Sequence, residues 1–151
     1  MTPEAIEKFL AANLSEERFD AYLADPDRAV FVAVDGAGDF RGYTLLVMGE
    51  PYDADVAAAI TTRPTCELSK LYVHPDAHGV GLAPRLVEAT AAEARARGAA
   101  GMWLGVNQHN ARANRFYEKT GFVRVGVKRF LVGDRFEDDF VRELDLSSSS
   151  A

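Results

Sequence analysis

Residues 67–97 constrain the fold more than any other part of this 151-residue chain. ELSKLYV (67–73) alternates along its length and is rich in strand formers. A short polar loop follows, with Gly79 and Gly81 one residue apart. Leu82 to Arg97 then sets Leu82, Leu86, Val87, Thr90 and Ala94 on one helical stripe, with Gly98 as its stop. MWLGVN (102–107) reads as the next strand, and Asn110 to Thr120 as the next helix, ended by Gly121. Strand, helix, strand and helix in succession require a mixed α/β sheet layered with helices and exclude a sandwich.

The flanks agree with that frame. Residues 4–13 and 15–25 read as two short helices, the second capped by Ser15 with Glu16 and Glu17 in its first turn. AVFVAV (29–34) and GYTLLVMG (42–49) pair as a hairpin around DGAG (35–38), and residues 122–132 and 136–146 make another around Gly133-Asp134. Residues 51–64 fit a helical turn or a plain loop. The chain has no internal repeat and no interior linker, which predicts one domain over 1–146 and a frayed tail over 147–151.

Charge and cysteine usage narrow the partners. A net charge of −6 argues against a protein that tracks nucleic-acid phosphates and suits a cationic partner. No run of about 18 apolar residues exists to span a membrane, and the acidic N-terminus lacks the basic and apolar regions of a secretory signal. The single cysteine, Cys66, reads as a small buried hydrophobe, and the absence of any disulfide points to a reducing cytoplasm. His74, His78 and His109 show no metal-ligand spacing with Cys66, so no metal is expected.

The glycine loop carries the first chemical signal. The first-turn N–H groups of a helix have no internal partner, and the helix dipole favours negative charge there. Glycine lets a phosphate approach the backbone closely. Two phosphate motifs fail on inspection. Walker A needs Lys-Ser/Thr after its second glycine, where this chain has Leu82-Ala83. The dinucleotide motif needs a third glycine where Pro84 stands. A turn that merely joins strand to helix stays open on these residues alone.

His78-Gly79-Val80-Gly81-Leu82-Ala83 resembles the Q/R-x-x-G-x-G/A acyl-CoA loop of the GNAT superfamily of N-acyltransferases. NARANRFYEKTGF (110–122) resembles that family's N-x-x-A-x-x-F-Y-x-x-x-G-F helix, and ELSKLYVHP (67–75) its central strand. The three occur in the family's order over residues 60–122. A closer likeness, to PaiA-type polyamine acetyltransferases, extends from MWLGV (102–106) through VRVGVKRFLVGD (123–134). His78 and Pro84 depart from the pattern, and Pro84 removes one backbone donor. The resemblance implies a central, mostly antiparallel sheet flanked by helices. It also implies that the family's usual first strand and helix are missing, leaving an edge that would invite pairing with a second copy as a homodimer.

The activity implied is transfer of an acetyl group from acetyl-CoA, as cosubstrate, to a primary amine. Such an amine has a pKa near 10.4, so roughly 1 in 2,500 is neutral at pH 7 and a base must take its proton. The thioester oxygen needs a donor as charge develops on it, and the leaving thiolate needs an acid. The family match places Tyr117 as that acid and Glu67 as the base, acting through water. It assigns Leu71, Tyr72 and Val73 to backbone contacts with the pantetheine arm, one of them as oxyanion donor. His78, Gly79, Val80, Gly81, Leu82, Ala83 and Pro84 fall at the diphosphate, and Asn110 and Ala113 at the helix start beside the pantetheine.

For each, a plainer reading exists: core tyrosine, solvent-facing strand carboxylate, sheet pairing, helix cap. Lys70, Arg85, Arg112 and Arg115 are either CoA phosphate partners or solvated side chains. Asp134, Glu137, Asp138 and Asp139 are either a polycation cradle or a solvated hairpin face. Three functions are compatible with this set: acetylation of a small amine such as a polyamine, acetylation of a protein N-terminus or lysine, and non-catalytic CoA binding. A groove in the 51–66 region would favour the second.

Overall fold

A computed structural model describes residues 25–77 and 81–147. The helix expected over 4–13, and all but the last residue of the one expected over 15–25, lie outside the described residues, as do His78, Gly79 and Val80. The described elements are β1 (Arg28–Val34), β2 (Phe40–Met48), α1 (Ala54–Ala59), β3 (Thr65–Val73), α2 (Leu82–Ala96), β4 (Gly101–Asn107), α3 (Ala111–Thr120), β5 (Val123–Val132) and β6 (Arg135–Asp145). The strands form one six-stranded sheet in the order β1-β2-β3-β4-β6-β5. Every pairing is antiparallel except β3 with β4. This is the mixed α/β, mostly antiparallel sheet expected. No described helix is long and apolar enough to cross a membrane.

The two faces of the sheet are covered differently. On one, α2 buries Leu86, Val87, Thr90, Ala91 and Ala94, joined in a core by Leu46, Cys66, Leu68, Met102, Leu104 and Phe122. The helical stripe read from the sequence is thus the packed face, with Leu82 only half-buried at its start. Thr90 would carry a buried hydroxyl into this core without a partner, were it not 2.7 Å from the Thr44 hydroxyl and bonded to the Leu86 carbonyl. Burial pushes the Cys66 thiol up to about 12, so it stays a thiol at neutral pH.

On the other face lies α1. Residues 51–64 were compatible with helix or loop; Asp53 decides between them by accepting hydrogen bonds from the Asp55 and Val56 amides as N-cap. The short helix presses Val56 and Ile60 onto Trp103 and Val141.

Two irregularities in β3 determine which residues face each side of the sheet. Its parallel pairing with β4 lasts only three residues, Thr65↔Gly101, Cys66↔Met102 and Glu67↔Trp103, after which the strands part as a fork. Its pairing with β2 skips Ser69, because Leu46 faces Leu68 while Leu45 faces Lys70. Side chains alternate along a strand, so one extra residue reverses which face each one takes. Cys66 and Leu68 point to the α2 face before the bulge, and Leu71 packs against that same core after it. Glu67 and Ser69 point the other way, toward Trp103.

Gly42 lies where β2 presses on the far half of β3. A Cβ there would collide with the Tyr72 carbonyl oxygen and lie 3.2 Å from Leu86 Cδ1. Gly42→Ala is expected to lower stability by about 1–3 kcal/mol through overpacking, read as a lower midpoint in urea at an unchanged slope.

Candidate active site

A cavity of about 480 Å³ opens on the α2 face, where β3 ends, α2 begins and α3 passes. Its lining includes Leu71 and Val73 from β3, Gly81, Leu82, Ala83 and Pro84 from the start of α2, and Asn110, Ala113 and Tyr117 from α3 with its cap. All nine were singled out from the sequence, and the fold brings them together. Ala77, Arg112 and Phe116 complete the wall.

Gly81 holds φ at +78°, a left-handed conformation that favours glycine, and among the described residues no side chain caps α2. The first-turn amides of this 15-residue helix have no partner within the helix itself. Arg112 adds a cation at the same wall. The remaining lining is largely apolar. A mouth of amides and a guanidinium leading into an apolar channel suits an anionic head on an uncharged arm.

Tyr117 stands deep in this wall. Its ring meets Phe116 edge-on at 5.2 Å and Phe122 at 5.7 Å between centroids. Burial raises its phenol above the usual value of 10.0, so the hydroxyl keeps its proton at neutral pH and can donate it.

The helix carrying Tyr117 is strapped to the sheet by a residue to which the sequence reading gave no role. Arg142 on β6, only 7% exposed, donates to Asn114 Oδ1 (2.9 Å) and to the Phe122 carbonyl (3.0 Å). Asn114 in turn donates to the carbonyls of Asn107 and Asn110. Asn110 accepts from the Ala113 amide as the N-cap of α3 while also lining the cavity, so cap and site residue are one.

A second cavity, also about 480 Å³, opens on the opposite face. Glu67, Ser69 and Trp103 lie at the fork, with Asp25 and Asp27 before β1, Arg28 at its start, Glu50, Tyr52 and Asp53 after β2, and Lys128 on β5. Five carboxylates against two cations leave it acidic. Burial is the main influence on Glu67 and lifts its carboxyl above the usual 4.5, while Lys128, then Arg28 and Lys70, pull it back.

Other expectations resolve differently. Tyr72 lines neither cavity: its ring stacks on Phe40 and Tyr43 of β2. Among the cations named earlier, Arg112 alone reaches the first cavity; Arg85 lines two smaller hollows beside α2, and Arg115 is exposed on α3. The acidic run on β6 does not form a cradle. Its members alternate in facing direction, Lys128 and Arg129 sit across from Asp139 and Asp138, and Arg129 reaches Asp138 at 3.6 Å.

The carboxylates that do gather come from three separate loops and strands. Register explains the gathering: Arg28 faces Val47 and Val47 faces Glu67, so the entry to β1, the exit of β2 and the start of β3 share one end of the sheet. The hairpin read over 29–49 held that signal, had it been extended to its acidic flanks.

The model of the acetyltransferase (GNAT) family matches residues 2–122. An uncharacterized N-acetyltransferase from Mycobacterium tuberculosis is 44% identical over 146 residues, covering 97% of this chain and 85% of the relative. Among solved structures, nourseothricin acetyltransferase superposes with a TM-score of 0.66 at 25% identity, covering 81% of this chain and 67% of that one. The spermidine/spermine N-acetyltransferase of Vibrio cholerae superposes with a TM-score of 0.67 over 89% of this chain and 76% of its own. At 21% identity, that likeness speaks for the fold.

Proposed function

The chain belongs to the acetyltransferase (GNAT) family, and on that premise we propose that it moves an acetyl group from acetyl-CoA to a primary amine of a small cationic molecule, with polyamines as the leading class. The observation that carries this reading is the β3–β4 fork, with an apolar-walled cavity at the start of α2 on one face of the sheet and an acidic cavity holding Glu67 on the other.

Acetyl-CoA supplies the activated acyl group, and the first cavity suits it. The start of α2, with the Gly81 turn, faces the diphosphate, and Arg112 offers a further charge to the nucleotide's phosphates. The β3 edge beyond Glu67 offers backbone groups to the pantetheine arm and one N–H to the developing oxyanion. Tyr117 donates a proton to the sulfur as the C–S bond breaks. The acceptor enters from the acidic face, where carboxylates draw its ammonium groups in. Glu67, through water, removes the proton that holds the reacting nitrogen inert. Spermidine, spermine and nourseothricin appear in the names of enzymes that share this fold, and the acidic cavity is the feature of this chain that supports extending a polycationic acceptor to it.

The reading is tested by following free thiol release from acetyl-CoA over a panel of monoamines, polyamines and an N-terminal peptide. Turnover with polyamines ahead of the peptide is expected. A folded protein that releases no thiol with any amine would overturn it.

Glu67 yields a prediction with two signs. A base acts deprotonated, so kcat/KM falls as pH drops through its pKa, and burial places that limb above the ordinary carboxylate range. Glu67→Gln is expected to lower kcat/KM about 100-fold and erase the limb. Stability moves in the opposite sense. A carboxyl whose folded pKa is raised binds its proton more tightly when folded, so stability is lost as pH rises from the unfolded value toward the folded one. At pH 7 the Gln variant should melt no lower than the parent. A lower melting point, with the limb still present, would remove Glu67 from this role.

A further inference from the structure

Lys128 stands out in the acidic cavity because it is a cation where cations are to be received. It projects from β5, and its Nζ lies 4.0 Å from Asp53 Oδ2, with both side chains about one-third exposed. Asp53 is itself held in place as the cap of α1. The other carboxylates of the cavity divide into two groups. Asp25 is bound by Arg28 at 3.1 Å and Glu50 by Arg63 at 2.8 Å. Asp27 and Glu67 have no ion-pair partner among the described residues.

We propose that Lys128 is a specificity-determining residue, a tethered ammonium that occupies one cation position of the acceptor cavity by holding Asp53 and so limits the acceptor to two cationic centres, one at Asp27 and the reacting nitrogen at Glu67. The proposal rests on assigning this cavity to the acceptor. Lys128 is also the foremost of the cations that act on Glu67, which places its charge within reach of the reacting end. Opposite charges in a partly desolvated cavity interact far more strongly than in bulk water, so a fixed ammonium competes effectively with a mobile one. Removing it leaves Asp53 unpaired and makes room for a third cation.

The test uses n-butylamine, putrescine and spermidine as acceptors with one, two and three nitrogens, on the parent, Lys128→Met and Lys128→Arg. In the parent, KM is expected to fall about tenfold from one nitrogen to two and to stay level from two to three. In Lys128→Met it should fall a further tenfold, about, at spermidine, with kcat changing less than KM, and Lys128→Arg should restore the parent pattern. An ion pair that only braced β5 would shift all three amines together or change the melting temperature alone. Parallel KM series in parent and Lys128→Met therefore overturn the proposal and leave the acetyltransferase reading intact. Failure of every amine in the parent instead defeats the assignment of the cavity to an acceptor, and the proposal with it.

Discussion

Tyr117→Phe is expected to lower kcat by about 100- to 1,000-fold while leaving the KM for acetyl-CoA within about twofold of the parent. The substitution removes one oxygen and keeps the ring, so the edge-on contacts with Phe116 and Phe122 survive. Only the proton is lost. Without it the sulfur must depart as a thiolate in a cavity whose lining is largely apolar, the environment that penalises a charge most. A second readout separates this role from packing. Acceptors are equally affected if the acid serves the leaving group, so the loss should be the same for n-butylamine and spermidine. Acetyl thioesters of more acidic thiols need less help and should recover part of the rate. An unchanged kcat in a well-folded Tyr117→Phe would reduce the residue to a wall of the cavity.

Phe122→Ala is expected to cost about 3–5 kcal/mol of stability, the range for emptying a fully buried aromatic site. For a chain of this size that corresponds to a melting temperature roughly 10 °C lower. Phe122 is 0% exposed and joins the main core beneath α3. Its carbonyl accepts from Arg142, and its ring is one of the two that hold Tyr117. Two consequences should therefore separate by temperature. Well below the melting point, kcat should still fall several-fold as the Tyr117 ring gains freedom, since small misplacements of a reacting group are costly. Phe122→Leu keeps most of the volume and should recover much of the stability but less of the rate. A fully stable Phe122→Ala would mean that the packing around this ring is not what anchors α3.

The grouping of the first cavity's residues, the proposed donor seat, was legible in the sequence because those residues are local. The strand end, the glycine turn and the first helical turn are contiguous in the chain, and the second helix announces itself by an N-cap and a C-terminal glycine. What links them in space is one strand–helix–strand–helix unit, which periodicity reveals. The acidic cavity was not legible for the opposite reason. Asp27, Glu50, Asp53 and Lys128 come from three places, and only the register of β1, β2 and β3 and the position of β5 bring them to one end of the sheet. The acidic run that is contiguous in the sequence, Glu137 to Asp139, is dispersed by strand alternation and cross-strand cations. The bulge at Ser69 was equally hidden. Nothing in ELSKLYV marks the skipped residue, yet it decides that Glu67 and Leu71 look in opposite directions. Arg142 and Asn114 were missed because a hydrogen-bonded buried arginine leaves no signature at short spacing.

The parting of β3 and β4 also has a consequence for inhibition. The proposed donor and acceptor seats lie back to back across one sheet, so a blocker of either would leave the other open and the two could be held at once. A single compound threaded through the gap, with a pantetheine-like arm on one side and an oligoamine on the other, would turn its second attachment into an intramolecular event. Its affinity would then exceed that of either half by orders of magnitude, provided the linker spans the thickness of the sheet.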